Sequence, residues 1–427
     1  MKLFLSSVQW TLFILAGSIV APISIASMYG LNGIETVEYV QRTLFVLGIA
    51  GILQVWKGHR LPIQEGPAGL WWSVITLYAG LGVILYGSHS ETLQVIQFAF
   101  LLSGLIFLLL GFLGAIQKIA NLITPVVVST YLILLVAQLS SSFLKGMYGL
   151  SRGNDSVNLK VLVLSAFIVI LSISLSKHPK LGQFSILISL ILGWVIFYLF
   201  NLSNSIQHVN TFFKIPEIFA FGKPVFKGNM IVLIIVITFL ILANMLASIK
   251  VVQIVMKKQG VSITEDVYNS SGKMAGIIHL LGGLFSAIGA VPISGSAGFI
   301  ENTKLTKRMP FIYGSILIIL ISLISPLTAF VSSIPEGVGY AAIFPVFSSI
   351  LTLAFKELDA IENKKNAYEI VSVSVFVGVG AMFVPLNSFT SLSPTLSSIF
   401  SNGLVFGTII AVLFEQLLKS RSRRFNK

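Results

Sequence analysis

Long apolar runs separated by short polar stretches follow one another from one end of the chain to the other. A helix needs about 20 mostly apolar residues to cross a bilayer. Runs on that scale fall at Trp10–Tyr29, Thr43–Trp56, Pro67–Gly87, Thr92–Ile116, Leu122–Phe143, Val161–Leu175 and Phe184–Leu202. They continue at Met230–Ile249, Met274–Ala290, Phe311–Val331, Val338–Phe355, Ile370–Leu386 and Leu404–Leu418, thirteen in all. Between the ninth and the tenth lies Val291–Arg308, a polar, Gly/Ser-rich piece that hydropathy alone leaves as a loop.

The basic residues decide whether that piece crosses. With fourteen spans and both termini inside, 21 Lys and Arg face the cytoplasm and 7 face outward. If Val291–Arg308 is an external loop, everything after it inverts and the tally becomes 10 against 18. Cytoplasmic loops carry the excess of Lys and Arg, so fourteen crossings are expected. The Met1–Lys2 start before an apolar run resembles a signal peptide, but with thirteen further spans a retained first span is the simpler reading.

Composition narrows the class. Of the 427 residues, 55% are hydrophobic and 10% charged, against about 25% charged in an ordinary globular protein. With a mean hydropathy of +0.93, soluble enzyme, nucleic-acid binder and secreted module are poor fits. The net charge of +13 reads as loops, and a basic tail over 419–427, that face anionic lipid. Without cysteine there is no disulfide, thiolate nucleophile or Cys-based metal site. His59, His89, His178, His208 and His279 lie in separate segments without metal-ligand spacing. The chain has no GxxxxGK(S/T) phosphate loop, so neither a cofactor nor ATP drive is expected.

Two polar segments resemble each other. Pro62-Ile63-Gln64-Glu65-Gly66-Pro67-Ala68-Gly69 precedes the third span, and Pro292-Ile293-Ser294-Gly295-Ser296-Ala297-Gly298-Phe299 opens the tenth, 230 residues later. A weaker echo links the fifth and twelfth spans, around Pro125 and Pro335. A seven-span repeat has an odd number of crossings, so its second copy enters the membrane upside down. That is the inverted-repeat plan of secondary transporters, with the site at the midplane between discontinuous helices. Gly/Pro-rich backbone at that depth cannot face lipid, because its N–H and C=O groups would go unsatisfied. Ordinary re-entrant connections, or small-residue helix contacts, are the alternative; matching ordinals and the charge tally favour a transporter.

At these residues the chain resembles the nucleobase–ascorbate transporter family, whose bacterial members include xanthine, uracil and other purine permeases. Val8-Gln9-Trp10 to Val20-Ala21-Pro22 resembles its first span. Lys57-Gly58 to Gly66 resembles its entry to span 3, Ile334-Pro335 to Phe347 its span 12, and Ser401-Asn402-Gly403 to Gly407 its last span. In the family's signature, Pro292, a Ser294–Ser296 strand and Thr306-Lys307 fit in register. Its Glu/Gln-Asn positions fall on Gly298 and Phe299, and its Gly position on Glu301. In span 8, Asn244 and Ser248 stand where the family usually has Glu and His or Asp, so the resemblance implies a divergent member.

The resemblance implies an all-α polytopic membrane protein of fourteen spans in a 7+7 inverted repeat, with short extended strands in spans 3 and 10. A core domain (1–119 and 229–333) would hold the base and a gate domain (120–228 and 334–418) would frame it. Gly17, Ala68, Asn244, Ser248, Ser296, Ala297, Gly298 and Phe299 are then the candidate substrate residues. Asn244 offers both a donor and an acceptor, with helix–helix bonding as its alternative. Trp71, Trp72 and Phe299 are candidates to stack on a ring, with core or lipid packing as the alternative for each. Ionisable residues expected at membrane depth are Glu65, His279 and Glu301, the candidates for proton coupling; ion pairing of Glu301 with Lys304, or of Glu65 with Arg60, is the competing reading. For His279 a neutral structural histidine comes first.

The expected function is import of a nucleobase, a purine such as xanthine, guanine or hypoxanthine, by proton symport across the plasma membrane. The movement expected is elevator-like, in a homodimer with both termini in the cytoplasm. The competing readings are an inorganic-anion or bicarbonate transporter of the same fold and a base-binding protein that does not transport. An enzyme would need a nucleophile–base pair or a metal cluster within the spans, and none is visible.

Overall fold

The computed structural model describes residues 2–425 apart from 121–123, 151–155, 179–180, 183–184, 204, 264–266, 362–363, 390–391 and 393. Met1, Leu122, Arg152, Lys180, Phe184 and Lys427, which enter the span and charge readings, lie outside the described residues.

In chain order the elements are α1 (Lys2–Ser18), α2 (Val20–Met28), α3 (Gly33–Lys57), β1 (Glu65–Pro67), α4 (Gly69–Tyr86), α5 (His89–Phe112), α6 (Ala115–Ala120), α7 (Pro125–Met147), α8 (Leu159–Ser176) and α9 (Ser185–Leu199). There follow α10 (Ile231–Lys258), α11 (Tyr268–Leu284), β2 (Ala290–Pro292), α12 (Gly295–Thr303), α13 (Arg308–Leu323), α14 (Ser325–Ser332), α15 (Glu336–Asp359), α16 (Lys364–Phe383), α17 (Pro394–Phe400) and α18 (Gly403–Phe425). Among the described residues nine helical stretches are long and apolar enough to cross a membrane, the first of them joining α1 and α2. This is a mostly helical, multi-pass membrane fold.

Helix ends follow local chemistry. Asn32 and Glu35 form a reciprocal capping box at the start of α3, so this helix begins ten residues before the apolar run that announced it. Its polar first turns are satisfied from outside: Glu38 pairs with Lys214, and the Arg42 guanidinium lies 5.1 Å from the Phe221 ring centre. Thr124 caps α7 with Pro125 in its first turn, and Asn158 caps α8. The run read as one span over Phe311–Val331 breaks into α13 and α14 at Ile324, whose backbone is extended, because Pro326 starts a new helix more readily than it continues one.

The helices pack in a reciprocal way. α1 lies on α13 as α10 lies on α5, and α3 packs on α13 as α11 packs on α5. These contacts are close because small residues sit in them: a Cβ on Gly104 of α5 would stand 2.7 Å from the Gly276 carbonyl of α11, and one on Gly48 of α3 would stand 2.9 Å from the Ser315 carbonyl of α13. A second group is built from α7, α8, α9, α15, α16 and α18, again crosswise: α15 packs on α7, α8 and α9, while α7 packs on α15, α16 and α18. Where the groups meet, α12 and α1 lie against α15, and α10 touches α7.

The only sheet among the described residues joins β1 to β2. They pair antiparallel, Glu65 opposite Pro292, Gly66 opposite Val291 and Pro67 opposite Ala290. The ladder extends beyond the strands, as Ala68 N–H donates to the Gly289 carbonyl (2.9 Å) and Ile293 N–H to the Gln64 carbonyl (2.8 Å). Each strand thereby satisfies the other's backbone inside the protein, as non-helical chain at membrane depth requires.

Candidate functional site

The paired strands place the first residues of two helices, Gly69 of α4 and Gly295 of α12, on the wall of one cavity. Its volume is about 100 Å³, on a scale where a single water needs about 10–15 Å³. That is room for one small ring system, not for a chain. Phe13, Ala16, Gly17, Gln64, Pro67, Trp72, Asn244 and Pro292–Gly295 form the side contributed by the first helical group. Tyr131, Leu139 and Phe143 of α7 and Tyr340, Ile343 and Phe347 of α15 form the other. Phe143 packs against Tyr340 and Phe347, with ring centres 4.4 and 4.5 Å apart. The cavity is therefore mostly apolar with a few polar groups, the usual make-up of a small-molecule site.

Those polar groups are held from behind. Gln64 donates from Nε2 to Ser18 Oγ (3.1 Å) and to the Ile14 carbonyl (3.4 Å), and its backbone N–H donates to Ser296 Oγ (2.8 Å). Asn244 Oδ1 accepts from Tyr131 (2.5 Å) and from Ser248 (3.3 Å). Gln64 Oε1 and Ser294 Oγ are buried without a partner. Two helix N-termini on the same wall add partial positive charge.

A family model described as Permease family, that of the xanthine and uracil permeases, matches residues 1–387. The chain belongs to this family. The permease is 42% identical to "Putative purine permease YwdJ" of Bacillus subtilis (strain 168), over 99% of this chain and 98% of that protein. It is 25% identical to the uric acid permease PucJ of the same organism, over 99% of this chain and 94% of PucJ. The fold resembles the transmembrane domain of the cyanobacterial bicarbonate transporter BicA, with a TM-score of 0.60 at 14% identity over 96% of each chain. It also resembles the murine anion transporter Slc26a9, with a TM-score of 0.63 at 12% identity over 98% of this chain and 68% of that one.

Of the residues singled out from the permease's sequence, Gly17 and Asn244 line the cavity. Ala68 is buried at the end of β1 and caps α4. Ser248 and Ser296 stand one layer back, bonded to Asn244 and to Gln64. Ser294–Ser296 is not strand: the strand ends at Pro292 and α12 starts at Gly295. The N–H groups of Ser296 and Ala297 are already taken by the carbonyls of Ile293 and Ser294, so the turn into the helix consumes them. Ala297 and Gly298 are buried inside α12. Phe299 is packed between Trp10 and Phe13, 4.4 Å from each ring, and Trp71 lies edge-on to Phe100. Of the three tryptophan and phenylalanine candidates only Trp72 lines the cavity.

The ionisable candidates separate. Glu301, near the end of α12, has a side chain 42% exposed and 4.0 Å from Lys356 of α15, rather than paired with Lys304. His279 is fully buried between Phe107 and Trp71, and its Nδ1 lies 2.9 Å from the Ala275 carbonyl. Glu65 of β1 is fully buried outside the cavity lining, 3.4 Å from His59 Nε2, with Oε2 unpartnered. Leu61 N–H donates to His59 Nδ1 (3.1 Å), which leaves the ring proton on Nε2, facing Glu65.

Sequence reasoning missed Gln64, Tyr131 and His59 as participants. For Gln64 a signal existed: in the Pro-Ile-x repeat it holds the place of Ser294, and both line the cavity. For Tyr131, one aromatic among many in an apolar run, there was none.

Proposed function

We propose that this permease is a secondary active transporter that imports a nucleobase, a purine such as xanthine, guanine or hypoxanthine, across the plasma membrane. The observation that carries the reading is the small cavity between the two helical groups, lined by aromatic rings and amide side chains. Aromatic rings line both sides, and amide groups and helix N-termini line one of them, which suits a planar heterocycle rich in ring N–H and C=O. The names of its relatives, purine and uric acid permeases, support the same substrate class.

In this reading the chain makes fourteen crossings as a 7+7 inverted repeat, with both termini in the cytoplasm and the basic tail against lipid headgroups. The reciprocal packing of α1, α3 and α13 against α10, α11 and α5 supports it. The first helical group is the core (1–119 and 229–333). The second is the gate (120–228 and 334–418), through which two copies pair. The core slides against the gate in an elevator-like movement and carries the base with it.

Proton symport supplies the drive. Among Glu65, His279 and Glu301 the geometry favours Glu65, buried beside the strand that carries Gln64 and with one carboxyl oxygen unpartnered. Uptake of radiolabelled xanthine, guanine, hypoxanthine and uracil in a permease-deficient strain tests the proposal. Saturable uptake of a purine is expected; the absence of stimulated uptake for every base overturns it. Transport of an inorganic anion is the second reading, favoured by the two helix N-termini at the cavity, and uptake competed by sulfate but not by bases would select it.

A further inference from the structure

The two amide side chains at the cavity are each fixed in one orientation. Gln64 is 1% exposed, and its nitrogen is spent on Ser18 and Ile14. Its oxygen is buried, unpartnered and part of a residue that lines the cavity. The amide fits there because residue 17 is glycine: a Cβ at Gly17 would stand 2.8 Å from Gln64 Nε2 and 3.2 Å from Oε1. Asn244 is 5% exposed and has the opposite polarity. Its oxygen is taken by the hydroxyls of Tyr131 and Ser248, which leaves its two N–H donors to offer.

We propose that Gln64 and Asn244 form an oriented acceptor–donor pair, in which Gln64 Oε1 accepts from a ring N–H of the substrate while the Asn244 amide donates to a ring carbonyl. Tyr131 is the positioning residue that sets the polarity of Asn244. The pair rests on the nucleobase reading above and deepens it, since it says which groups of the base are read. A buried acceptor left unsatisfied costs free energy, so a site built this way rejects analogues that lack the donor.

The test is equilibrium binding to the purified, detergent-solubilised full chain, with xanthine, caffeine and unsubstituted purine as probes. Caffeine keeps both carbonyls but has no ring N–H; unsubstituted purine lacks the carbonyls. The wild type should prefer xanthine to caffeine by at least about tenfold. Gln64→Met keeps the length of the side chain and removes the acceptor, so it should weaken xanthine while leaving caffeine nearly unchanged, and the ratio should collapse. Tyr131→Phe removes the shorter of the two bonds that hold the Asn244 oxygen and leaves only the 3.3 Å bond from Ser248. It should narrow the preference for xanthine over unsubstituted purine without lowering the melting temperature enough to explain the change. Should Gln64→Met not fold, Gly17→Ala, which displaces the same amide, should give the same collapse. An undiminished xanthine-to-caffeine ratio in Gln64→Met or Gly17→Ala overturns the pair and leaves the nucleobase reading standing. Failure of the wild type to bind any base, with anion transport intact, overturns both.

Discussion

Residues at the centre of this permease differ less in kind than in what stands behind them. Gln64 and Asn244 carry the same functional group, yet Ser18 and Ile14 hold one by its nitrogen and Tyr131 and Ser248 hold the other by its oxygen. Glu65, next in sequence to Gln64, is buried and is not part of the cavity lining. It meets His59, not Arg60. If Glu65 is the group that carries the proton, Glu65→Gln should keep base exchange across proteoliposomes while accumulation driven by a pH gradient falls at least about tenfold. Accumulation that still follows the pH gradient in this variant would remove Glu65 from the coupling. Ser296 tests the support of Gln64 separately. Ser296→Ala leaves the buried Gln64 N–H without its acceptor, at a cost of about 1–3 kcal/mol. Lower thermal stability in detergent and weaker base binding are expected together.

At the scale of elements, the fold depends on close helix crossings that only small residues permit. Gly276 of α11 is hemmed by Leu108 and by the Gly104 carbonyl of α5, both within 2.8 Å of where a Cβ would sit. Gly276→Val should therefore overpack this crossing at a cost of about 1–3 kcal/mol, read as a lower melting temperature; an unchanged melt would mean that α5 and α11 can separate freely. Much at this scale was legible in the sequence. Apolar runs located the long helices, and the Pro-Ile repeat located both strands of the sheet to within a few residues. What was not legible has a common cause: the partner was far away in the chain. The early start of α3 needed Lys214 and Phe221 to satisfy its polar turns. The break between α13 and α14 hid inside a uniformly apolar run. Ser294–Ser296, small and polar, reads equally as strand or helix start, and its helical turn is fixed by the carbonyls of Ile293 and Ser294. Phe299 was placed in the site by its register in the motif, but the space between Trp10 and Phe13 claims it. Helical burial direction is invisible to a motif.

For the whole molecule, the proposed elevator-like movement has the core group slide against the gate group and carry the base with it. The groups meet where α12 lies on α15, at Glu301 and Lys356. The chain has no cysteine, so Glu301→Cys with Lys356→Cys introduces the only reactive pair. Bridging the two with a short bis-methanethiosulfonate cross-linker, which joins each cysteine through a disulfide, should arrest transport, and reducing those disulfides should restore it. Full transport in the bridged protein would show that the groups need not slide at this contact. The central claim is that the cavity carries a nucleobase rather than an anion. It is tested most directly in proteoliposomes holding the purified permease, by influx of labelled xanthine in competition with unlabelled bases and with sulfate or bicarbonate. Saturable xanthine influx is expected, suppressed by unlabelled purines and unchanged by the anions. Influx of labelled sulfate or bicarbonate, with no base transported or competing, would contradict it.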